Sequence, residues 1–400
     1  MAKETVYFHV GRFGHPFFQE QLHAVPEGFS YRTPESDSPA EAPSAPRRIA
    51  LQSSRLRTVR SGLERIAIRG LSWSGYVRRS RLEPRSGCSL IHSAQQLLRG
   101  SDLPYVLDFE CVEVFCLYQR IALSRPWARR RLLDALADER CRFLLPWSQA
   151  AQRGIEAALG TQAAARLLPK TVPVLPAIRP RVSRPAQRGT GPLRVLFVGT
   201  AFEAKGGVEA VQAIGRARGT HDVVLDLVSD VPARWQRTIE QDAGITVHPW
   251  PAPATRVEAL FQEAHLLLFP SHMDTLGFVV LEAMAHGVPV LGTRHFAVPE
   301  LVEDGVSGVL VAGENPLYGE DGLCCFARTL PPPSAFRRAL RLPSEAYVSR
   351  LTAALARVAE DRDLHERLAA GAFARVVDGP LSVPRRQEAL GRVYRDALAA

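Results

Sequence analysis

Residues 195–207 have the sequence VLFVGTAFEAKGG, an apolar run followed by a glycine-containing turn and the start of a helix. A buried strand that leads through such a turn into a helix is the opening of a βαβ unit. Backbone N–H groups point outwards at the turn and at the helix N-terminus, where the helix dipole adds a partial positive charge. The stretch therefore predicts an α/β domain with an anion-binding turn formed by Gly199, Thr200 and Lys205.

Lys205 is one of only three lysines in the 400-residue chain, with Lys3 and Lys170. A scarce lysine placed in such a turn is a candidate anion ligand. The turn has neither the G-x-G-x-x-G nor the G-x-x-x-x-G-K-[ST] spacing, so dinucleotide-binding and P-loop sites are disfavoured. The alternative is a surface lysine in an ordinary loop.

A second stretch, residues 269–291, has the sequence FPSHMDTLGFVVLEAMAHGVPVL. The pattern predicts a strand ending at Pro270 and a helix from Gly277 to Gly287. Carboxylates accept hydrogen bonds from the vicinal hydroxyls of a sugar, and N–H groups at a helix start suit a diphosphate. Asp274 and Glu282 beside that helix start therefore predict a nucleotide-sugar site. The alternatives are a helix cap for Asp274 and a solvated helix position for Glu282.

The chain length favours two domains, and alternating strands and helices predict a parallel sheet in each. We expect a first Rossmann-like domain over residues 1–185, with a flexible loop at 33–48, and a second over 186–380. Residues 381–400 are expected to form a final helix. No apolar run approaches the roughly 20 residues that cross a bilayer, and the N-terminus lacks a signal pattern, so we expect a cytoplasmic protein. The six cysteines show no metal-binding spacing and predict reduced, mostly buried thiols.

Charge is unevenly distributed along the chain. Residues 1–190 contain 29 Lys and Arg against 16 Asp and Glu, whereas residues 191–400 contain 21 against 25. The basic first half predicts contact with something anionic, either a phosphate-bearing acceptor or a membrane surface. The alternative is an arginine-rich surface without a partner. No nucleic-acid-binding module is recognisable, so we expect no nucleic acid.

The two stretches together resemble the retaining glycosyltransferases of the GT-B fold, in particular glycosyltransferase family 4. That family has a P-S-x-x-E-x-x-G-x-x-x-x-E-A-M-A-x-G-x-P-V segment, which residues 270–290 follow with Asp274 at its first acidic position. Residues 298–311 are similar to the family's next conserved stretch. The resemblance implies two Rossmann-like domains facing each other across a cleft, with the C-terminal helix crossing back to the N-terminal domain.

Residue by residue, the resemblance implies that Lys205 neutralises the donor diphosphate and that Gly277 and Phe278 contact phosphate, next to Thr275 and Leu276. It implies that Asp274 holds the transferred sugar and Glu282 the ribose. The family needs no metal and no cofactor. Relatives often carry a histidine where this chain has Glu110, so Glu110 or Asp108 is a candidate sugar ligand, with a helix-capping role as the alternative.

Weaker candidates complete the site. Gly11 and Gly14 would let the first loop approach the donor, although a plain turn explains them equally well. Trp250 is placed to stack on a nucleobase, and His92 is expected to be a core histidine. The sequence thus predicts a hexosyltransferase that uses a UDP- or GDP-linked sugar, acts with retention on a lipid-linked or glycan acceptor, and contacts the inner face of the membrane peripherally. The alternatives are a catalytically weak nucleotide-sugar-binding relative and a sugar-nucleotide epimerase.

Overall fold

The computed structural model of the chain describes residues 3–10, 16–33, 74–82, 87–118, 120–314 and 340–399. Gly11, Gly14, Cys324, Cys325 and all but the first residue of the predicted 33–48 loop lie outside these ranges. The described residues form two compact units. Unit 1 contains the chain up to Leu175 and again from Arg386, and unit 2 contains the chain between Pro176 and Arg385.

Unit 1 is built on a five-stranded parallel sheet with the strand order β2-β1-β4-β6-β7. A short parallel pair, β3 and β5, lies beside it. The strands are β1 (Glu4–Val10), β2 (Phe29–Arg32), β3 (Arg79–Ser80), β4 (Leu90–Ala94), β5 (Leu97–Leu98), β6 (Tyr105–Phe109) and β7 (Cys141–Pro146).

Unit 2 is built on a six-stranded parallel sheet with the strand order β10-β9-β8-β11-β12-β13. Numbered within the unit, this is the 3-2-1-4-5-6 order of the Rossmann fold, so each unit has the predicted α/β architecture. The strands are β8 (Leu193–Gly199), β9 (Val223–Ser229), β10 (Ile245–His248), β11 (Leu266–Phe269), β12 (Val290–Thr293) and β13 (Gly308–Val311).

Helices cover the two sheets. Those of the first half are α1 (Pro16–Leu22), α2 (Arg120–Leu123), α3 (Pro126–Leu136), α4 (Gln149–Leu159) and α5 (Thr161–Leu167), with 3₁₀ turns at Val112–Cys116 and Leu168–Lys170. The remainder are α6 (Gly207–Ala217), α7 (Ala233–Glu240), α8 (Ala254–Glu263), α9 (Phe278–Ala285), α10 (Val298–Leu301), α11 (Glu345–Glu360), α12 (Arg362–Val377) and α13 (Val383–Ala399).

The central strands are apolar along almost their whole length because both faces of the sheet are covered there. All four residues of β11 and all five of β6 are buried. In unit 2, the core joins β8 and β9 to the inner faces of α6 and α11. Burial of such surface contributes about 25 cal/mol per Å², which makes these contacts the main source of stability.

The C-terminal helix α13 packs on the unit 1 sheet through buried polar contacts. The Tyr394 hydroxyl lies 2.6 Å from His92 Nδ1 and 2.9 Å from the Tyr31 hydroxyl. His92 Nε2 lies 3.1 Å from Asp108 Oδ2, and the guanidinium of Arg386 lies 3.9 Å from the same oxygen. Burial lowers the pKa of Arg386, and Asp108 opposes that shift. His92 is therefore a core histidine, as predicted.

The fold differs from the sequence expectation in three places. Phe29–Arg32 forms an edge strand that was not predicted. The apolar Val-Pro-Val-Leu sequence of residues 172–175 predicts a strand, but the structure has none there, although the Val172 and Val174 N–H groups donate to carbonyls of β7. Pro173 has no N–H to donate, which prevents a regular ladder. The Pro-, Arg- and Gly-rich sequence of residues 179–192 predicts a linker between the domains, but the segment belongs to unit 2, where its Arg181 and Ala186 N–H groups donate to the Ala285 and Gly287 carbonyls.

Two further expectations concern the cysteines and membrane spans. Of the four cysteines that the structure describes, all are free thiols, and Cys111, Cys116 and Cys141 are buried. Burial raises the pKa of the Cys141 thiol to about 12. No helix within the described ranges combines the length and the apolarity needed to cross a membrane.

We predict that Tyr394→Phe destabilises unit 1 by about 1–2 kcal/mol, because the buried His92 and Tyr31 polar atoms lose their common partner. Denaturant unfolding of the purified variant measures this. The matched control on the same helix is Glu388→Gln, which removes an exposed pair with Arg392 and should cost less than about 0.5 kcal/mol. Equal stability of Tyr394→Phe and the wild type would contradict the docking role of Tyr394.

Candidate functional site

The candidate site lies at the carboxyl ends of β8 and β11, which are neighbours at the centre of the unit 2 sheet. The chain leaves β8 towards one edge of the sheet and leaves β11 towards the other. Such a switch point opens a crevice between the two following loops, and parallel α/β sheets bind ligands there. The loop after β8 carries Lys205 and the loop after β11 carries Asp274.

The structure brings the two principal predicted residues into contact. Lys205 Nζ lies 2.7 Å from Asp274 Oδ2 and donates a second hydrogen bond to the Met273 carbonyl at 2.9 Å. The Lys205 side chain is 25% exposed and that of Asp274 15%. Gly199 lies against the lysine, since a Cβ at this position would be 3.2 Å from Lys205 Cγ. The ion pair is therefore reachable from solvent, and an incoming anion can compete with the carboxylate for the ammonium.

The two loops run unusually close together. Gly206 has a φ of +78°, and a Cβ there would lie 2.0 Å from the Pro270 carbonyl oxygen. Only glycine fits this approach. The His272 N–H donates to the Ala204 carbonyl at 3.0 Å, which joins the loops through their backbones as well.

The helix α9 begins beside this pair. Gly277 is its N-cap, with a φ of +84° and with Phe269 Cζ 2.9 Å from where a Cβ would be. Helix starts present backbone N–H groups and a partial positive charge to an anion. Thr275 and Phe278 on either side are partly exposed, whereas Leu276 is buried.

Glu282 is the one ionisable residue of α9, and it is partly exposed while its neighbours Leu281 and Ala283 are buried. Thr200, predicted in the β8 turn, is exposed. Both side chains are therefore accessible at this end of unit 2.

Trp250 lies at a separate cavity of unit 2, at the carboxyl ends of β9 and β10. The cavity has a volume of about 550 Å³, and Trp250 is 39% exposed. The remaining lining residues combine polar and apolar side chains: Ser229, Asp230, Val231, Gln236, Glu240, Val247, His248 and Pro249. An exposed indole ring beside polar groups suits a planar heterocycle.

The acidic candidates of unit 1 have different surroundings. Glu110 follows β6, is half-buried and accepts a hydrogen bond from the Tyr118 hydroxyl. Asp108 is 1% exposed and belongs to the buried network with His92. Of the two, only Glu110 is accessible to a ligand.

Three residues of the site were missed by the sequence analysis. Glu209 in the first turn of α6 is fully buried, and its Oε1 lies 2.6 Å from Nε2 of the buried His272. His295, in the loop after β12, is 4% exposed. For His295, the position directly after a parallel strand is the one sequence signal of a site residue. Glu209 and His272 acquire their partners through tertiary contacts, which the sequence does not indicate.

The charge of His295 is controlled by its burial. Burial lowers its pKa to about 4, against an opposing effect of Asp274 and a further lowering by His272 and Lys205. His295 is therefore neutral at pH 7 beside the ion pair. No cluster of three or more metal-binding side chains occurs within the described ranges.

The burial of His295 predicts that acid destabilises unit 2. The pKa of His295 is about 4 in the folded chain and 6.5 in its ordinary, solvated state, as in the unfolded chain. The unfolded chain therefore takes up a proton at this residue first, so the free energy of unfolding is highest above pH 6.5 and decreases as the pH falls towards 4. Lowering the pH from 7 to 5 should cost about 2 kcal/mol through this residue. Denaturant unfolding at both pH values, with His295→Gln as the comparison, measures the difference. The same loss in His295→Gln would contradict the assignment.

Residues 192–319 match the family model described as "Glycosyl transferases group 1". The D-inositol 3-phosphate glycosyltransferase of Mycolicibacterium paratuberculosis is 33% identical over 148 residues, which are 35% of this chain and 33% of that protein. The matched region thus spans about a third of the length of the curated relatives.

Solved structures resemble the whole chain at low sequence identity. Sucrose-phosphate synthase from Thermosynechococcus elongatus has a TM-score of 0.61 at 14% identity, covering 99% of both chains. HepE from Anabaena, solved in complex with UDP and glucose, has a TM-score of 0.55 at 12% identity, covering 98% of this chain and 99% of HepE. The chain therefore has the GT-B fold and matches the group 1 glycosyltransferase family over residues 192–319.

Proposed function

We propose that this protein is a glycosyltransferase that transfers a hexose from a UDP- or GDP-linked donor to an acceptor, with retention of the anomeric configuration. The observation that carries the proposal is the contact of Lys205 with Asp274 at the switch point of unit 2, next to the start of α9. A cation, a helix N-terminus and a carboxylate at one place match the chemistry of a sugar diphosphate.

In the proposed complex, the donor diphosphate replaces Asp274 as the partner of Lys205 and also accepts hydrogen bonds from N–H groups at the start of α9. Asp274 is then free to accept hydrogen bonds from hydroxyls of the transferred sugar. Glu282 is proposed to bind the ribose, and Trp250 to stack on the base in the cavity at β9 and β10. The exchange is supported by the partial exposure of both members of the ion pair.

The reaction that we propose breaks the bond between the anomeric carbon and the diphosphate oxygen. The acceptor hydroxyl attacks from the same face, and its proton passes to the departing phosphate oxygen. Negative charge grows on the diphosphate while positive charge grows on the sugar ring. Lys205 and the helix N–H groups stabilise the negative charge on the diphosphate, and the Asp274 carboxylate stabilises the positive charge on the sugar ring. Pre-organised groups of this kind each contribute about 3–4 kcal/mol. From the resemblance to glycosyltransferase family 4, we also propose that the reaction needs no metal and no cofactor.

We predict that Lys205→Ala lowers the turnover of UDP- or GDP-sugars at least about 100-fold, since one preorganised charge is lost. Release of nucleoside diphosphate, with anomeric analysis of the product, measures turnover and stereochemistry in the presence of a chelator. Lys3→Ala is the matched control and should retain full activity, because Lys3 is exposed in unit 1. Full activity of Lys205→Ala would contradict the proposal. If the wild-type protein binds nucleotide without turnover, it is a binding protein. If the wild type returns an isomerised donor, it is an epimerase.

We propose that the acceptor is lipid-linked and that unit 1 contacts the anionic membrane surface that carries it. The helix α3 buries Ala128 and Leu132 and exposes Trp127 to 47%. Arg125 lies over the Trp127 ring, with its guanidinium carbon 5.6 Å from the ring centre. Arg129 and Arg130 follow on this helix, and no ion pair of either is found within the described residues. An exposed tryptophan among arginines suits the interface of an anionic bilayer.

We predict that Arg129→Glu combined with Arg130→Glu weakens binding to vesicles of phosphatidylglycerol and phosphatidylcholine at least about tenfold, since each basic residue near such a surface contributes about 1 kcal/mol. Co-sedimentation measures the binding. Arg357→Glu combined with Arg367→Glu makes the same charge change on exposed helix positions of unit 2 and is the matched control. An equal loss in both double variants would show that net charge, and not this surface, governs the binding.

A further inference from the structure

A buried pair of side chains connects the two loops of the candidate site. Glu209 lies in the first turn of α6, two residues after its first residue Gly207, and has no exposed surface. His272 lies between Pro270 and Asp274 and is 6% exposed. Glu209 Oε1 and His272 Nε2 are 2.6 Å apart. The contact therefore joins the helix that follows the Lys205 loop to the loop that carries Asp274.

The surroundings of the pair fix its geometry. Tyr347 of α11 packs on the His272 ring, with centroids 5.8 Å apart at an interplanar angle of 66°. The Tyr347 hydroxyl is hydrogen-bonded to Thr293 at the end of β12. These contacts pack the imidazole with Nε2 directed towards Glu209. Nε2 donates this hydrogen bond when the Glu209 carboxylate is ionised, because an ionised carboxylate only accepts hydrogen bonds.

Stability alone does not account for this pair. Burying a charged or strongly polar pair costs desolvation, and apolar residues of similar volume are often equally stabilising. Glu209 Oε2 has no hydrogen-bond partner among the described residues, so the carboxylate is not fully satisfied. The carboxylate also lies beside a proposed diphosphate site, where a negative charge opposes the ligand. A costly group in such a place indicates a role in the geometry of the site.

We propose that Glu209 and His272 are positioning residues, which hold the Lys205 loop and the Asp274 loop at the separation that the donor diphosphate requires. The His272 side chain is hydrogen-bonded to Glu209 of α6, and the His272 backbone N–H donates to the Ala204 carbonyl in the Lys205 loop. His272, itself in the Asp274 loop, is therefore bonded to the Lys205 loop and to the helix that follows it. Without the pair, the loops separate and Lys205 loses its place beside Asp274. The inference rests on the proposed donor site.

The lysine content of the chain allows a test without any ligand. Lysines labelled with ¹³C-methyl groups give resonances for Lys3, Lys170 and Lys205, and Lys205→Arg identifies the third. Glu209→Leu is expected to shift the Lys205 resonance and leave that of Lys170, in unit 1, in place. Glu209→Gln keeps an acceptor oxygen and is expected to restore the wild-type position. An unmoved Lys205 resonance in Glu209→Leu overturns the inference.

Two further measurements complete the experiment. His272→Leu breaks the pair from its other side and should give the same Lys205 shift, while His272→Gln, whose amide nitrogen replaces Nε2, should not.

Calorimetry with UDP and GDP then tests whether Glu209 and Lys205 act together in nucleotide binding. Glu209→Leu is expected to weaken binding about tenfold in the wild type and less than about twofold in Lys205→Ala, because residues that act through one contact are not additive. Equal losses in both backgrounds overturn the inference. Failure of the wild type to bind either nucleotide overturns the proposed function instead, and the lysine resonances still decide the role of the pair.

Discussion

The ion pair between Lys205 and Asp274 is the contact on which the functional interpretation depends. Its position follows from sheet topology, because β8 and β11 are parallel neighbours in register, with Val195 opposite Leu266. Their carboxyl ends therefore lie at the same edge of the sheet, and the two loops diverge from there. Sheet topology alone therefore brings Lys205 and Asp274 together, although they are 69 positions apart in the sequence.

Buried polar groups have a different task in each unit. In unit 1, His92 and Asp108 of the sheet hold the C-terminal helix through Tyr394, which lies 302 residues after His92 in the sequence. In unit 2, the Glu209–His272 contact joins the first turn of α6 to the loop that carries Asp274. Both arrangements place polar groups in an apolar core, where geometry is strictly defined because unsatisfied partners are costly.

Much of the fold could be predicted from the sequence, because apolar runs of strand length alternate with helical periods from residue 193 onwards. Lys205, Asp274 and Gly277 could be predicted because each follows a strand within a recognisable local pattern. Glu209, His272 and His295 could not, since their burial and partners come from elements distant in the sequence. The edge strand Phe29–Arg32 was missed because its Phe-Ser-Tyr-Arg sequence is short and half polar.

A nucleoside diphosphate bound at Lys205, as proposed, covers the lysine amino group, and protection of that group from chemical modification is the most direct measurement of the binding. Acetylation rates of Lys3, Lys170 and Lys205 can be followed separately by mass spectrometry, with and without UDP or GDP. A bound nucleotide is expected to slow the acetylation of Lys205 at least about tenfold, in proportion to occupancy, and to leave the acetylation rates of Lys3 and Lys170 unchanged. An unchanged Lys205 rate at saturating nucleotide would contradict the proposed binding.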